Sequence, residues 1–173
     1  MDLIVGVGDM KVSNDREVVL ATYSLGSCIG VAIYDPAVKV GGVLHYMLPE
    51  SSLDGEKARK NPYMFGDTGI PLLFKESYRL GAKKNRLRVI VVGGSQILDQ
   101  KGLFNIGKRN HTLLRKMFWK NNVITDFQDV GGTVNRTLKL EIASGDAWLK
   151  VSGSGLRKIS PNGGRAERGG DHG

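Results

Sequence analysis

An α+β domain, with a mixed, largely antiparallel β-sheet and two main helices, is the fold this 173-residue chain predicts. Short runs of β-branched and aliphatic residues recur between turn formers along most of its length. Only two stretches carry an apolar stripe at helical spacing, and strands and helices alternate irregularly. The length suits one domain with a real core, since a domain of about 150 residues buries roughly 68–70% of its unfolded surface.

The elements follow in order. Leu3 to Val7 reads as a short strand. Val18–Thr22, Ile29–Tyr34 and Val38–His45 read as three more, the last two joined by the turn Asp35-Pro36-Ala37-Val38. Ser51 to Tyr63 is polar and full of turn formers, and it reads as a mobile loop bordering whatever His45 does. A helix begins at Asp67 or Thr68 and runs to Leu80, with Ile70, Leu73, Phe74 and Leu80 facing inward, Gly81 as C-cap and Pro71 in the tolerant first turn. Leu87–Val92 is an apolar strand. A second helix, Lys108–Asn121, buries Leu113, Leu114, Met117 and Phe118 and shows a basic face to solvent. Strands at Val123–Phe127, Thr137–Ile142 and Ala147–Val151 complete a domain of residues 1–151, the last two meeting at Ser144-Gly145. The remaining 22 residues, 152–173, hold seven glycines and almost no apolar side chains, so a disordered tail is expected there.

Cys28 is the only cysteine, set in the glycine turn Leu25-Gly26-Ser27-Cys28-Ile29-Gly30, and His45 lies seventeen residues on. A thiol becomes a useful nucleophile at neutral pH when a base stands within hydrogen-bond reach. Folding the two strands about the midpoint of Pro36-Ala37 pairs Gly30 with Val43 and Cys28 directly with His45. Direct cross-strand neighbours have Cβ atoms roughly 4.5–5.5 Å apart on one face. Pro36 cannot adopt the positive φ of a tight hairpin turn, however, and a bulged turn that slipped the register by one would send His45 to the other face. Taken singly, a buried cysteine is usually a small inert hydrophobe and a strand-end histidine a packing residue. Together beside a glycine turn they point to a cysteine hydrolase or acyl-transfer enzyme. The turn's glycine lets backbone approach closely, so the amides around Gly26 and Ser27 are the expected oxyanion and substrate donors.

Composition narrows the chemistry. One cysteine excludes an internal disulfide, and three histidines without a Cys/His cluster give no metal site, so neither cofactor nor metal is expected. No apolar run approaches the ~18 residues that span a bilayer, and the chain opens on a strand rather than a leader, which predicts a cytoplasmic protein without membrane insertion. Gly6-Val7-Gly8 has Lys11 where a dinucleotide fingerprint needs its third glycine, and Gly93-Gly94 lacks the Lys of a phosphate loop. The formal charge is +8, of which the tail contributes four Lys/Arg against two Asp/Glu, leaving +6 on the folded part to attract an acidic macromolecule. Nucleic acid is the weaker partner, because the basic run Lys83-Lys84-Asn85-Arg86-Leu87-Arg88 has no interleaved aromatics.

Thr22-Tyr23-Ser24-Leu25-Gly26-Ser27-Cys28, Asp35-Pro36 and Gly41-Gly42-Val43-Leu44-His45-Tyr46-Met47-Leu48-Pro49 resemble the signature of the CheD family of chemoreceptor glutamine deamidases. The likeness continues through Asp67-Thr68, Gly93-Gly94-Ser95, Asn105-Ile106-Gly107-Lys108-Arg109-Asn110, Asp129-Val130-Gly131-Gly132 and Arg136, covering about residues 3–151. Phe65, where tyrosine is commoner, and Asn135, where glycine is, depart from the pattern away from the Cys/His pair. The resemblance implies a three-layer α/β/β sandwich and the deamidation of glutamine side chains on chemoreceptor cytoplasmic helices. It implies catalysis by Cys28, His45 and Thr22 through a thioester, the threonine hydroxyl accepting from the second imidazole nitrogen to hold its tautomer. It also implies a CheC-type phosphatase as regulatory partner. On the residues alone, a cysteine hydrolase acting on a small amide stands beside this reading.

Overall fold

In a computed structural model, which describes residues 1–97 and 105–159, the chain forms a three-layer α/β/β sandwich. The strands are β1 Asp2–Ile4, β2 Asp9–Ser13, β3 Val19–Leu25, β4 Ile29–Asp35, β5 Val40–Tyr46, β6 Arg88–Gly93, β7 Phe127–Val130, β8 Arg136–Glu141, β9 Ala147–Val151 and β10 Arg157–Ile159. The helices are α1 Gly55–Lys60, α2 Gly66–Arg79 and α3 Ile106–Lys120. One sheet runs β1-β3-β8-β9-β10 and the other β2-β5-β4-β6-β7. Pairing is antiparallel except for β1 with β3 and β6 with β7.

Period-two alternation sorts the side chains of the second sheet into two cores. Ala32, Tyr34, Val43, Ile90 and Val92 face Leu20, Leu25, Leu138, Leu140 and Leu149 of the first sheet. Ile29, Val31, Ile33, Leu44, Tyr46, Val89 and Val91 face the other way, under Ile70, Leu73 and Phe74 of α2 and Leu114 and Phe118 of α3. β4 and β5 are buried at every position for this reason. No helix among the described residues is long and apolar enough to cross a membrane.

Four sequence expectations are corrected. The β4–β5 connection is a four-residue loop, Pro36 to Lys39, with Lys39 at φ 53°, and it pairs Asp35 with Val40 and Gly30 with His45. Asp35 shapes this turn: its carboxylate accepts from the Ala37 and Lys83 N–H groups and pairs with Arg86 at 2.8 Å while fully buried. The register therefore differs by two from the predicted one. A slip of two keeps every side chain on its face, so Cys28 and His45 become diagonal rather than direct neighbours.

The expected mobile loop, Ser51 to Tyr63, is instead folded into a 3₁₀ turn at Ser51–Leu53, helix α1 and a second 3₁₀ turn at Pro62–Met64. Its many polar residues are internal staples: the Asp67 carboxylate accepts from Ser51 N–H and Oγ–H, Asp54 caps Lys57, and Asn61 Nδ2 donates to Gly8 O. The strand expected at Val123–Phe127 begins at Phe127, because Val123 turns into the helical core. The folded part extends beyond residue 151, since Ile159 is buried and β10 pairs with β9. The rest of the expected tail, 160–173, lies outside the described residues.

Candidate active site

The site forms where β3 of one sheet passes the β4–β5 hairpin of the other. Thr22 lies on the inward face of β3 and His45 on the inward face of β5, both fully buried. Between Thr22 and Leu25, β3 takes three steps against two on β8, a bulge with Ser24 at φ 58°. That bulge turns the chain into Gly26-Ser27-Cys28 and delivers Cys28, partly buried against the inter-sheet core, to the face that carries His45.

One hydroxyl fixes the imidazole tautomer. Thr22 Oγ1 lies 2.6 Å from Val5 O and 2.7 Å from His45 Nδ1. A carbonyl can only accept, so the single hydroxyl proton goes to Val5, and Oγ1 must accept from Nδ1–H. Nδ1 then carries the ring proton, and Nε2 presents a bare lone pair. Nε2 is buried and has no hydrogen-bond partner among the described residues, so the Cys28 sulfur does not bond to it in this conformation. Catalytic hydrogen bonds are often long before substrate binds and tighten in the complex.

Burial holds His45 at about 4 and pushes the Cys28 thiol up to about 11, the Cys28 backbone N–H drawing the latter partly back. The resting pair is accordingly a neutral thiol beside a neutral imidazole, not an ion pair. Such an imidazole is a base with an open acceptor, and it takes the thiol proton as the sulfur attacks.

The depressed histidine value has a measurable consequence for stability. As pH falls from about 6.5 to about 4 the unfolded chain takes up a proton that folded His45 refuses, so its contribution is complete above 6.5 and is lost toward 4, about 3 kcal/mol in all. Urea unfolding at the two pH values should show wild-type losing about 3 kcal/mol more than His45→Gln. Equal losses would contradict a buried, neutral His45.

The Cys28 turn is anchored on several sides. Ser95 N–H donates to Gly26 O, Asn110 Nδ2 to Ser27 O at 2.9 Å and Gly94 N–H to Cys28 O. At Gly93, φ 113°, an added Cβ would lie 2.2 Å from Cys28 O, so only glycine fits this approach. The 93–95 segment is held in turn by buried Arg136, which bonds Gly93 O, Ser95 Oγ and Gly131 O and pairs with Asp129 at 2.9 Å. Asn110 Nδ2 also reaches Met47 O, and Tyr46 Oη–H donates to Asn110 O, which ties α3 to the strand bearing His45.

Of the sequence-predicted site residues, Cys28, His45 and Thr22 gather on one inter-sheet face, with Gly26 and Ser27 in the turn beside them. Asn110, Ser95, Arg136 and the Val5 carbonyl had no assigned part. The first three stand in the segments that carry the resemblance, but only long-range hydrogen bonds reveal what they hold. A backbone carbonyl leaves no trace in sequence at all.

A family described as CheD chemotactic sensory transduction matches residues 47–151. A Syntrophus aciditrophicus protein named probable chemoreceptor glutamine deamidase CheD 1 is 56% identical over 158 residues, 91% of this chain and 99% of its own. Similarly named proteins of Solibacter usitatus and Pyrococcus abyssi are 50% and 36% identical, covering 87% and 91% of this chain and 89% and 98% of theirs. The family match begins just after His45, whereas 158 aligned residues of 173 necessarily run across Thr22, Cys28 and His45.

Proposed function

The chain belongs to the CheD family, and from that premise we propose that it deamidates glutamine side chains on the cytoplasmic helices of chemoreceptors. Relatives that share its length and bear that activity in their names support the reaction. The observation that carries the mechanism is the bare Nε2 of His45, its tautomer set by Thr22, on the face that holds Cys28.

In this reading His45 Nε2 takes the thiol proton as Cys28 Sγ attacks the carboxamide carbon, and the carbonyl oxygen becomes an oxyanion. Backbone amides of the Gly26-Ser27-Cys28 turn stabilise it, one such donor being worth about 2.7–4 kcal/mol. The imidazolium, steadied by its Nδ1–H bond to Thr22, returns the proton to the amide nitrogen, and ammonia leaves a thioester. Neutral His45 then deprotonates water, which attacks the thioester carbon; glutamate departs and the thiol is restored. The imidazole works as base and acid in turn, for which its neutral resting form is the right starting point.

The net charge of +8 favours acidic helical substrates, which reach a basic surface faster. A cytoplasmic setting and a CheC-type phosphatase as regulatory partner belong to the same proposal and rest on the family resemblance. The test is to incubate a purified receptor cytoplasmic fragment with the protein and to follow peptide masses and ammonia. Each modified glutamine should gain about one dalton as carboxamide becomes carboxylate, with one ammonia released. Release of ammonia from free glutamine with the receptor fragment unchanged would instead support a small-amide hydrolase.

A further inference from the structure

The three consecutive carbonyls of the Cys28 turn each accept a hydrogen bond from a different part of the molecule: Gly26 O from Ser95 N–H, Ser27 O from Asn110 Nδ2, Cys28 O from Gly94 N–H. All peptide bonds of the described chain are trans, so the N–H of each unit points opposite to its C=O. Holding the Ser27 carbonyl toward α3 therefore turns the Cys28 N–H away from α3. That orientation agrees with the Cys28 N–H drawing the pKa of its own thiol partly down against the effect of burial. An oxyanion formed on the carbon that the sulfur attacks lies within reach of this same amide.

The other two carbonyls are held by backbone donors, which side-chain substitution cannot remove. The Ser27–Cys28 unit alone is held by a side chain. Asn110 is fully buried, both protons of its Nδ2 are spent on Ser27 O and Met47 O, and its Oδ1 has no partner among the described residues. A buried amide whose oxygen is left unpaired sits there for its donors. Its position is itself fixed: Tyr46 Oη–H bonds the Asn110 carbonyl, and at Gly107, one turn earlier on α3, an added Cβ would lie 2.2 Å from Ser95 O.

We propose that Asn110 is a positioning residue for the reaction, orienting the Ser27–Cys28 peptide so that the Cys28 N–H is aimed in advance at the oxyanion. The inference deepens the deamidase reading and rests on Cys28 being the nucleophile. Asn110 does not touch substrate. It acts on the transition state through one backbone amide, and its loss should appear in kcat rather than in KM.

The experiment compares wild-type, Asn110→Asp and Asn110→Ser. Aspartate keeps the shape but sets oxygen against two carbonyls; serine, smaller and without that repulsion, is the second variant should aspartate unfold the chain. On a receptor cytoplasmic fragment, kcat should fall on the order of 10²-fold with KM within about threefold. Two readouts separate positioning from general damage. Alkylation of Cys28 by iodoacetamide develops no oxyanion, so its rate per thiolate, taken from the pH dependence of alkylation so that any change in thiol ionisation is divided out, should stay within about twofold of wild-type. A glutamine-site peptide with a γ-aldehyde in place of the carboxamide forms a hemithioacetal: the C–S bond forms, the carbonyl π-bond opens, and its oxygen takes the thiol proton. Its affinity should fall in parallel with kcat.

Unchanged kcat and aldehyde affinity would overturn the role of Asn110 while leaving Cys28 as nucleophile. A rate per thiolate falling as far as kcat would reduce Asn110 to a support of the turn's structure and overturn it also. If wild-type formed no hemithioacetal at Cys28, the deamidase mechanism itself would fall, and this inference with it.

Discussion

Cys28→Ala is expected to be folded and inactive. The sulfur is partly buried at the margin of the inter-sheet core, so removing it leaves at most a small cavity, and the turn carbonyls keep their donors. A stability loss of about 1 kcal/mol is therefore expected. Activity should fall by at least about 10⁴-fold, because Nε2 alone holds no nucleophile and the residual oxyanion donors cannot replace one. Peptide masses of the receptor fragment should then match those of an untreated control. Retention of a tenth of wild-type activity by a folded Cys28→Ala protein would end the thioester mechanism.

The second large effect belongs to His45. His45→Gln removes the base and should cost roughly 10²–10⁴-fold in kcat/KM at neutral pH. The pH profile separates this from a packing defect. In wild-type, His45 is neutral above about 4 and the thiol protonated below about 11, so kcat/KM should be flat across the neutral range and fall only as His45 gains its proton near the lower value. In His45→Gln the acid limb should vanish. Activity should instead rise about tenfold per pH unit toward 11, as solvent rather than the protein generates the thiolate. A variant that kept the flat wild-type profile would show that the thiol is deprotonated by another group.

Both expectations depend on a neutral resting pair, which the burial of the site produces. An exposed Cys–His pair shares its charge with solvent; here the imidazole is sealed between two sheets and its only described partner is the Thr22 hydroxyl. Charge separation is deferred until substrate arrives, when the oxyanion donors can offset it.

Much of this was legible in the order of residues. The alternation of β4 and β5, the helical stripes of α2 and α3 and the glycine turn before Cys28 are local signals, and each produced its element. The expected register is off by two, so Cys28 and His45 are not the direct cross-strand pair expected; because the side-chain period of a strand is itself two, they keep a common face and stand diagonally. The loop length escaped the sequence because it depends on Asp35 meeting Arg86 and Lys83 from a distant segment. The 51–63 segment reads as mobile but is folded for a similar reason: its polar residues find partners at Asp67 and Gly8 rather than in water.

By itself, the sequence determined which residue types are candidates for chemistry and which face of each strand they occupy, since periodicity, turn composition and the types of the side chains are properties of neighbours along the chain. Only the tertiary structure decided the tautomer of His45, through Val5 and Thr22, and the orientation of the Cys28 turn, through Gly94, Ser95 and Asn110. Those are settled by hydrogen bonds between groups remote in sequence, each donor and acceptor having one geometry that satisfies it once water is excluded.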